Sequence, residues 1–402
     1  MISNRNLAAV AGCIGMLVMT CPASALDWPH WRGPDYDGIS QDKGFKTTLS
    51  EKPKVLWEYP VGSGFSSFTI ADGRLYTCGT KARQQALYCF NPDTGEVIWE
   101  KSIEKEYKEK QGGDGTRATP TIDDGRVYIL GALGRVLCVD AAKGELVWDR
   151  QLQERPWWGC SASVLIEGDL AVVSAGLVDG SLLALDKKTG KEIWKTGNEM
   201  AGYATPCPLT FNGRRYLMGF LSQSAIIVEP KMGREVWRTP WTTPFEVNAS
   251  APVFHEGYLF LTSGYDTGCG LFKLSEDGDK LAGKKIWRSK VIVSKYQSYL
   301  LNDGALYGSD DKALRCVDFL TGNELWSVPR VANATVLLAD GHLLVLTEKG
   351  KLMIAPVSRK EFKPTEAQVL EGHCWTIPLL HNGRLYVRNL EKAVCLDMKA
   401  GE

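Results

Sequence analysis

The residues of this chain that could do chemistry are few and poorly clustered. Its five histidines are scattered, and His373-Cys374 is an isolated pair. No nucleophile elbow and no glycine-rich phosphate loop occurs. The 11 cysteines include no adjacent pair, no Cys-x-x-Cys and no Cys-x-x-Cys-His, which removes haem attachment and the usual zinc spacings. A hard cation such as calcium needs converging oxygens. Glu246 and Asn248, in Pro-Phe-Glu-Val-Asn-Ala-Ser, are the compact candidates for that. The plainer reading of the pair is a solvated loop glutamate and an asparagine that starts a strand. No residue is assigned a catalytic role, and no metal site beyond that pair is expected.

Aromatic and charged residues make the stronger set. Trp157 and Trp158, Tyr203, Trp241, Phe245, Tyr296 with Gln297, and His373 with Trp375 fall between apolar runs, and Arg117 opens one of those runs. Aromatics and arginine are the side chains most enriched at binding hot spots. Singly, each could instead wedge between packed elements, and Arg117 could bind an anion or satisfy backbone carbonyls.

The elements that must position these residues form a repeat. Six tryptophans follow a glycine by four residues: Gly95 and Trp99, Gly144 and Trp148, Gly190 and Trp194, Gly233 and Trp237, Gly283 and Trp287, Gly322 and Trp326. Successive tryptophans stand 39 to 50 residues apart, close to the roughly 40–45 residues of a four-stranded propeller blade. A second marker gives the count. Asp, Glu or Asn precedes Gly at positions 72, 124, 167, 212, 256, 303, 340 and 382, each between apolar runs. Asp-Gly and Asn-Gly are strong hairpin signals because both turn residues take positive φ. The pattern predicts an all-β, eight-bladed propeller of four-stranded antiparallel blades, with these turns joining first and second strands.

Each unit continues with a turn such as Asp140-Ala-Ala-Lys-Gly144, then a fourth strand bearing the tryptophan. The expected blade residues are Trp57, Trp99, Trp148, Trp194, Trp237, Trp287 and Trp326. Unit five carries an insertion around Asp277 to Ala282, and unit seven lacks the glycine and tryptophan. The last turn, Asp397 to Gly401, is followed by one residue only. Val55-Leu-Trp57-Glu-Tyr resembles the fourth strands, so the N-terminal segment is expected to complete the eighth blade and remove exposed sheet edges. The search for function then moves to the loops between one blade's outer strand and the next blade's inner strand. The longest, Lys101 to Gly113, is charged with mixed sign and is expected to form a short helix on a solvated surface.

Charge and targeting bound the partners. Lysine plus arginine and aspartate plus glutamate number 47 each, so no net field draws nucleic acid or an acidic membrane surface. Arg5, the apolar run Leu7 to Met19 and Ala23-Ser24-Ala25 read as a cleaved export signal. The competing reading is a lipoprotein signal at Val10-Ala-Gly-Cys13. No later stretch is long and apolar enough for a transmembrane helix. The expected division is 1–25 signal, 26–53 N-terminal extension and 54–402 propeller, with a periplasmic or extracellular location. Cys13 and Cys21 leave with the signal, and nine cysteines remain. Cys89, Cys138, Cys316 and Cys395 share a slot that Ala184 fills in another unit, as small buried strand residues would. A cross-strand disulfide between Cys78 and Cys89 is the alternative to a set of free thiols.

The hairpin, the Leu-x-Cys/Ala-x-Asp strand, the Thr-Gly turn and the Trp strand together resemble the pyrroloquinoline-quinone-like (PQQ-like) propeller repeat. The unit also looks like the quinoprotein alcohol dehydrogenase superfamily, which includes an outer-membrane assembly lipoprotein. Asp27-Trp-Pro-His-Trp-Arg-Gly-Pro-Asp-Tyr-Asp-Gly38 is similar to the opening of secreted members found in planctomycete-type bacteria. The resemblance implies the fold. For activity it implies two readings. One is an exported, non-catalytic binding or scaffold module that takes a protein or small ligand at the inter-blade loops and needs no cofactor. The other is a PQQ-dependent dehydrogenase oxidising an alcohol or sugar. Such enzymes hold the cofactor over the central funnel between a tryptophan and a disulfide of adjacent cysteines, with calcium on glutamate, asparagine and aspartate. This chain lacks the adjacent cysteines.

Overall fold

The computed structural model describes residues 27–111 and 113–401. The segment expected to be the export signal, with Cys13, lies outside them. Eight antiparallel sheets follow one another along the chain, each with its hairpin-connected strands in sequence order, and no helix occurs among the described residues. The first blade is typical, with strands Thr69–Ala71, Arg74–Lys81, Gln84–Phe90 and Val97–Lys105. Seven of the eight inner hairpins turn on the marker residues, as at Asp72 and Gly73 with φ of 51° and 69°. The third departs. Glu167 still pairs with Leu170, so the turn is Gly168-Asp169, one residue later, with only the glycine at positive φ. Glycine tolerates that conformation at either turn position, so the turn can slide along the chain without changing the blade.

The tryptophan and the glycine of one unit turn out to serve different neighbours. Each tryptophan reaches forward onto the glycine of the next blade. A Cβ added at Gly95, Gly144, Gly190, Gly233, Gly283 or Gly322 would lie 2.5–2.8 Å from Trp57, Trp99, Trp148, Trp194, Trp237 or Trp287 respectively. The indole N–H then donates to a carbonyl of the same neighbour: Trp57 to Pro92 (2.9 Å), Trp99 to Ala141 (3.0 Å), Trp148 to Lys187 (3.0 Å), Trp194 to Pro230 (2.7 Å). Trp287 and Trp326 do the same to Phe319 and Ser358. Trp237 meets Gly283 with its Nε1 edge instead, where the fifth blade's outer hairpin, Gly268–Asp277 and Lys280–Ser289, is the longest of all.

The ring closes as the sequence predicts. Val55–Tyr59 pairs antiparallel with Ala393–Asp397, Trp57 opposite Cys395, and becomes the outer strand of the eighth blade. Arg388 seals the same seam from inside. Its fully buried guanidinium donates to the carbonyls of Gly62 (2.9 Å), Ser66 (3.3 Å) and Cys78, all in or leading into the first blade. Burial lowers its pKa to about 10, still charged at neutral pH. The seventh blade's outer strand, Thr365–Gln368, carries no tryptophan. There the extension fills in, with Lys46 N–H bonded to Met398 O (2.7 Å), Leu49 N–H to Thr365 Oγ1 (2.9 Å), and Phe45 and Leu49 buried in the shared core.

Upstream of that seam the extension crosses the channel. Trp28 exchanges backbone bonds with Ile70 on the first blade, and Pro29 O accepts from Ile122 on the second. Arg32, buried without a carboxylate partner, donates to the carbonyls of Tyr36 (3.0 Å), Asp37 (2.6 Å) and Tyr299 (2.8 Å), the last leading into the sixth blade. Ile39–Ser40 lies parallel to Leu338 and Ala339 on the seventh. These contacts fall near the inner hairpin turns, so the channel is plugged at that end.

One alternative left open by the sequence is decided and one expectation is corrected. Cys78 sits opposite Leu87, and Cys89 opposite Tyr76, so the two thiols are one cross-strand pair out of register and remain free, as are all nine described cysteines. Lys101–Lys105 does not turn into a helix. It continues the outer strand, because Gln84 and Gln85 extend the partner strand far enough to pair with Lys105 and Glu104.

Two measurements test this packing. Gly144→Ala, at φ 70° and 2.7 Å from the Trp99 ring, should cost about 2–4 kcal/mol in chemical denaturation. The thiols of Cys78 and Cys160, pushed by burial up to about 12, should stay silent to a disulfide reagent at mildly alkaline pH until the protein is unfolded. Rapid labelling of either in the native state would contradict the packing.

Candidate functional site

On the face opposite the plug, the inter-blade loops surround a funnel of about 510 Å³, within the range of small-ligand sites. Trp31, carried in by the extension, closes it beneath. Trp158, Tyr203, Tyr296, Trp375 and Phe65 contribute rings from loops of different blades. They brace one another. Trp375 stacks on Phe65 at 5.3 Å, meets Tyr296 at 5.2 Å, and donates its indole N–H to Glu348 (2.8 Å). Trp158 packs against Tyr203 at 6.1 Å, and its backbone N–H donates to the Tyr203 hydroxyl (3.1 Å). Burial pushes the Tyr203 phenol up to about 12, so it is neutral at any physiological pH.

Two cations reach the same space. The Arg117 guanidinium donates to the carbonyls of Gly115 (2.9 Å) and Gly113 (2.8 Å) and lies over the rings of Tyr107 (4.7 Å) and Phe65 (5.5 Å). Burial lowers its pKa, yet its position is set by neutral carbonyls, so its charge is not cancelled by the groups that hold it. Lys295 pairs with Asp311 at 3.2 Å. No aspartate or glutamate is among the described residues that line the funnel.

Of the residues singled out in the sequence, Arg117, Trp158, Tyr203, Tyr296 and Trp375 meet at the funnel. The others do not. Trp241 is buried in the blade wall, where its indole N–H donates to Ser263 Oγ (3.0 Å) and its ring packs against Phe220 and Phe272. An indole N–H buried in a core needs such a partner. Trp157 is 82% exposed and points outside the funnel.

Glu246 and Asn248 point apart. Glu246 is exposed and accepts from Gln223 Nε2 (2.8 Å). Asn248 is fully buried and its amide is consumed: Nδ2 donates to Leu221 O (2.7 Å) and Trp241 O (2.9 Å), and Oδ1 accepts from Ser263 Oγ (2.6 Å). It staples the loop. Neither residue lines the funnel, and no cluster of His, Cys, Asp and Glu suited to a metal occurs among the described residues. A calcium-bound quinone therefore does not fit this funnel, which offers the ion no carboxylate.

Reading the sequence missed Trp31, Phe65, Lys295 and a set of hydroxyls at the heads of the inner strands. A signal for the hydroxyls existed: Ser67, Thr119 and Ser298 each stand five residues before the aspartate of a hairpin turn.

An eight-bladed ring with a plugged channel and a funnel at its inter-blade face is a PQQ-like β-propeller. The family model described as outer membrane protein assembly factor BamB matches residues 82–328, and the chain belongs to that family. It is 25% identical over 323 residues to the outer membrane protein assembly factor BamB of Burkholderia pseudomallei, covering 73% of this chain and 74% of that one. It is 37% identical over 114 residues to the quinoprotein alcohol dehydrogenase PedH of Pseudomonas putida, covering 26% of this chain and 18% of that enzyme. The crystal structure of BamB from Moraxella catarrhalis superposes with a TM-score of 0.63 at 16% identity, covering 86% of this chain and 99% of that one. That last likeness concerns the fold.

The division between wall and funnel can be measured. Trp241→Ala should destabilise the protein by about 3–5 kcal/mol, whereas Trp157→Ala should stay within about 0.5 kcal/mol of wild type, both read by chemical denaturation.

Proposed function

We propose that the protein is an exported, non-catalytic propeller that serves in the cell envelope as a binding scaffold, taking its ligand or partner at the inter-blade loop face. On this reading residues 1–25 are the export signal, 26–53 the extension that plugs the channel, and 54–402 the propeller. The location is periplasmic or extracellular. The observation that carries the reading is the funnel lining itself, which combines rings, amides and hydroxyls with two cations but no carboxylate to act as general base or to receive a metal. Membership of a family described by outer-membrane assembly supports an envelope role. No helix among the described residues is long and apolar enough to cross a membrane.

The second reading, a PQQ-dependent dehydrogenase, is favoured by the stretch shared with PedH. Against it, the described residues that line the funnel include no carboxylate to hold calcium. The two readings separate in one assay. Purified protein mixed with pyrroloquinoline quinone and calcium should show no dye-linked oxidation of alcohols or sugars. Stoichiometric cofactor binding with turnover would overturn the scaffold reading. Mass spectrometry of the exported protein should find Leu26 as the first residue, and a lipid-modified Cys13 at the N-terminus would replace free export by membrane anchoring.

A further inference from the structure

The heads of the inner strands are tied together by a belt of hydroxyls. Ile377 N–H donates to Ser67 Oγ (3.1 Å), Ser67 N–H to Thr119 Oγ1 (3.0 Å), Thr119 N–H to Ser163 Oγ (3.1 Å), and Ser163 N–H to Thr205 Oγ1 (2.9 Å). Across the ring, Ala251 N–H donates to Ser298 Oγ (2.9 Å). Each bond passes from one blade to the next, and in each the hydroxyl oxygen is the acceptor. All five hydroxyls are buried and all five line the funnel. Among the described residues none of them donates a hydrogen bond.

An oxygen that has accepted a backbone N–H keeps its own O–H to give. Five buried donors without acceptors would be a costly arrangement if nothing but the protein were to meet them. They share the funnel with Arg117, which is held by neutral carbonyls, and with Lys295, whose ammonium lies 3.2 Å from Asp311 outside the lining; no carboxylate is among the described residues that line it. The surplus at the lining is of donors together with the Arg117 charge, which asks for an acceptor-rich anion.

We propose that this funnel binds an acidic sugar, a ring bearing a carboxylate, as the ligand of the binding module inferred above. The inference rests on that reading of the loop face. The donors are spread around the axis, from the first four blades to the sixth. That distribution suits a ligand with acceptor oxygens on every edge, as a sugar ring has, better than a flat aromatic acid whose acceptors are confined to its carboxylates. The apolar faces of a sugar ring pack on Trp31, Trp158 and Trp375. The carboxylate goes to Arg117 and Lys295. Sugar hydroxyls also need acceptors. Gln297 and Asn333 provide them, since their amide nitrogens are held by Asn333 O (3.1 Å) and Glu348 Oε2 (3.4 Å) and their amide oxygens accept no hydrogen bond from the described residues.

The test titrates the mature, full-length protein with digalacturonate and, separately, with its dimethyl ester, which keeps shape and removes charge. Calorimetry and tryptophan fluorescence are the readouts, because three tryptophans line the site. The acid should bind with an affinity that falls as salt rises, and the ester about tenfold or more weaker. Lys295→Met, at a partly exposed site, should weaken the acid about tenfold and leave the ester unchanged, and Trp375→Phe should reduce both. A thermal melt of each variant confirms folding. Equal binding of acid and ester, or binding of neither, would overturn the acidic-sugar assignment and leave the scaffold reading intact. Displacement of the sugar by pyrroloquinoline quinone with onset of dye-linked turnover would instead overturn both.

Discussion

Everything in this molecule depends on one contact, an indole ring laid on a glycine of the next blade. The glycine must lack a Cβ, because one would overlap the ring, and at every such position but Gly283 it also takes positive φ to close its own turn. The tryptophan must present an N–H where the neighbour has a free turn carbonyl. Each blade thus offers a receiving site backwards and a ring forwards, and the unit has meaning only in sequence with others. Where the pattern lapses, another device replaces it. At the seventh blade the extension supplies backbone bonds and two buried side chains, and at the final seam Trp57 restores the rule while Arg388 ties carbonyls from within.

The same extension decides what kind of hole the ring encloses. By pairing with inner strands of distant blades it turns a channel into a cup, and it delivers Trp31 to the floor. Arg32 holds this crossing segment in place with its guanidinium spent on carbonyls. The cost of burying that cation is met by hydrogen bonds and not by an anion, as it is for Arg388.

The fold was legible in the sequence to an unusual degree, for a physical reason. Turn residues at positive φ and a tryptophan at fixed distance from its glycine are local requirements, repeated until they are unmistakable. The slip at Gly168 arises because a glycine can occupy either turn position. The site was legible only in part. Trp158, Tyr203, Tyr296 and Trp375 on the one hand and Trp241 on the other come from the same class of loop. What separates them is whether the ring faces the axis or finds a partner such as Ser263 in the wall. Asn248 looked like an oxygen donor and is a staple, because three of its four hydrogen-bonding positions are filled by Leu221 O of the preceding blade, Trp241 O of its own loop and Ser263 Oγ.

The sequence by itself determined the number of blades, the strands within each and the closure of the ring, because those follow from short-range spacing that any copy of the unit must obey. Only the tertiary structure decided that the cysteines lie out of register for a disulfide, that the extension plugs the channel, and that hydroxyls from five blades meet with Arg117 and Lys295 around one space. Those relations join residues hundreds of positions apart, Ser67 with Ile377 or Arg32 with Tyr299, and no local pattern encodes a distance that exists only once the ring has closed.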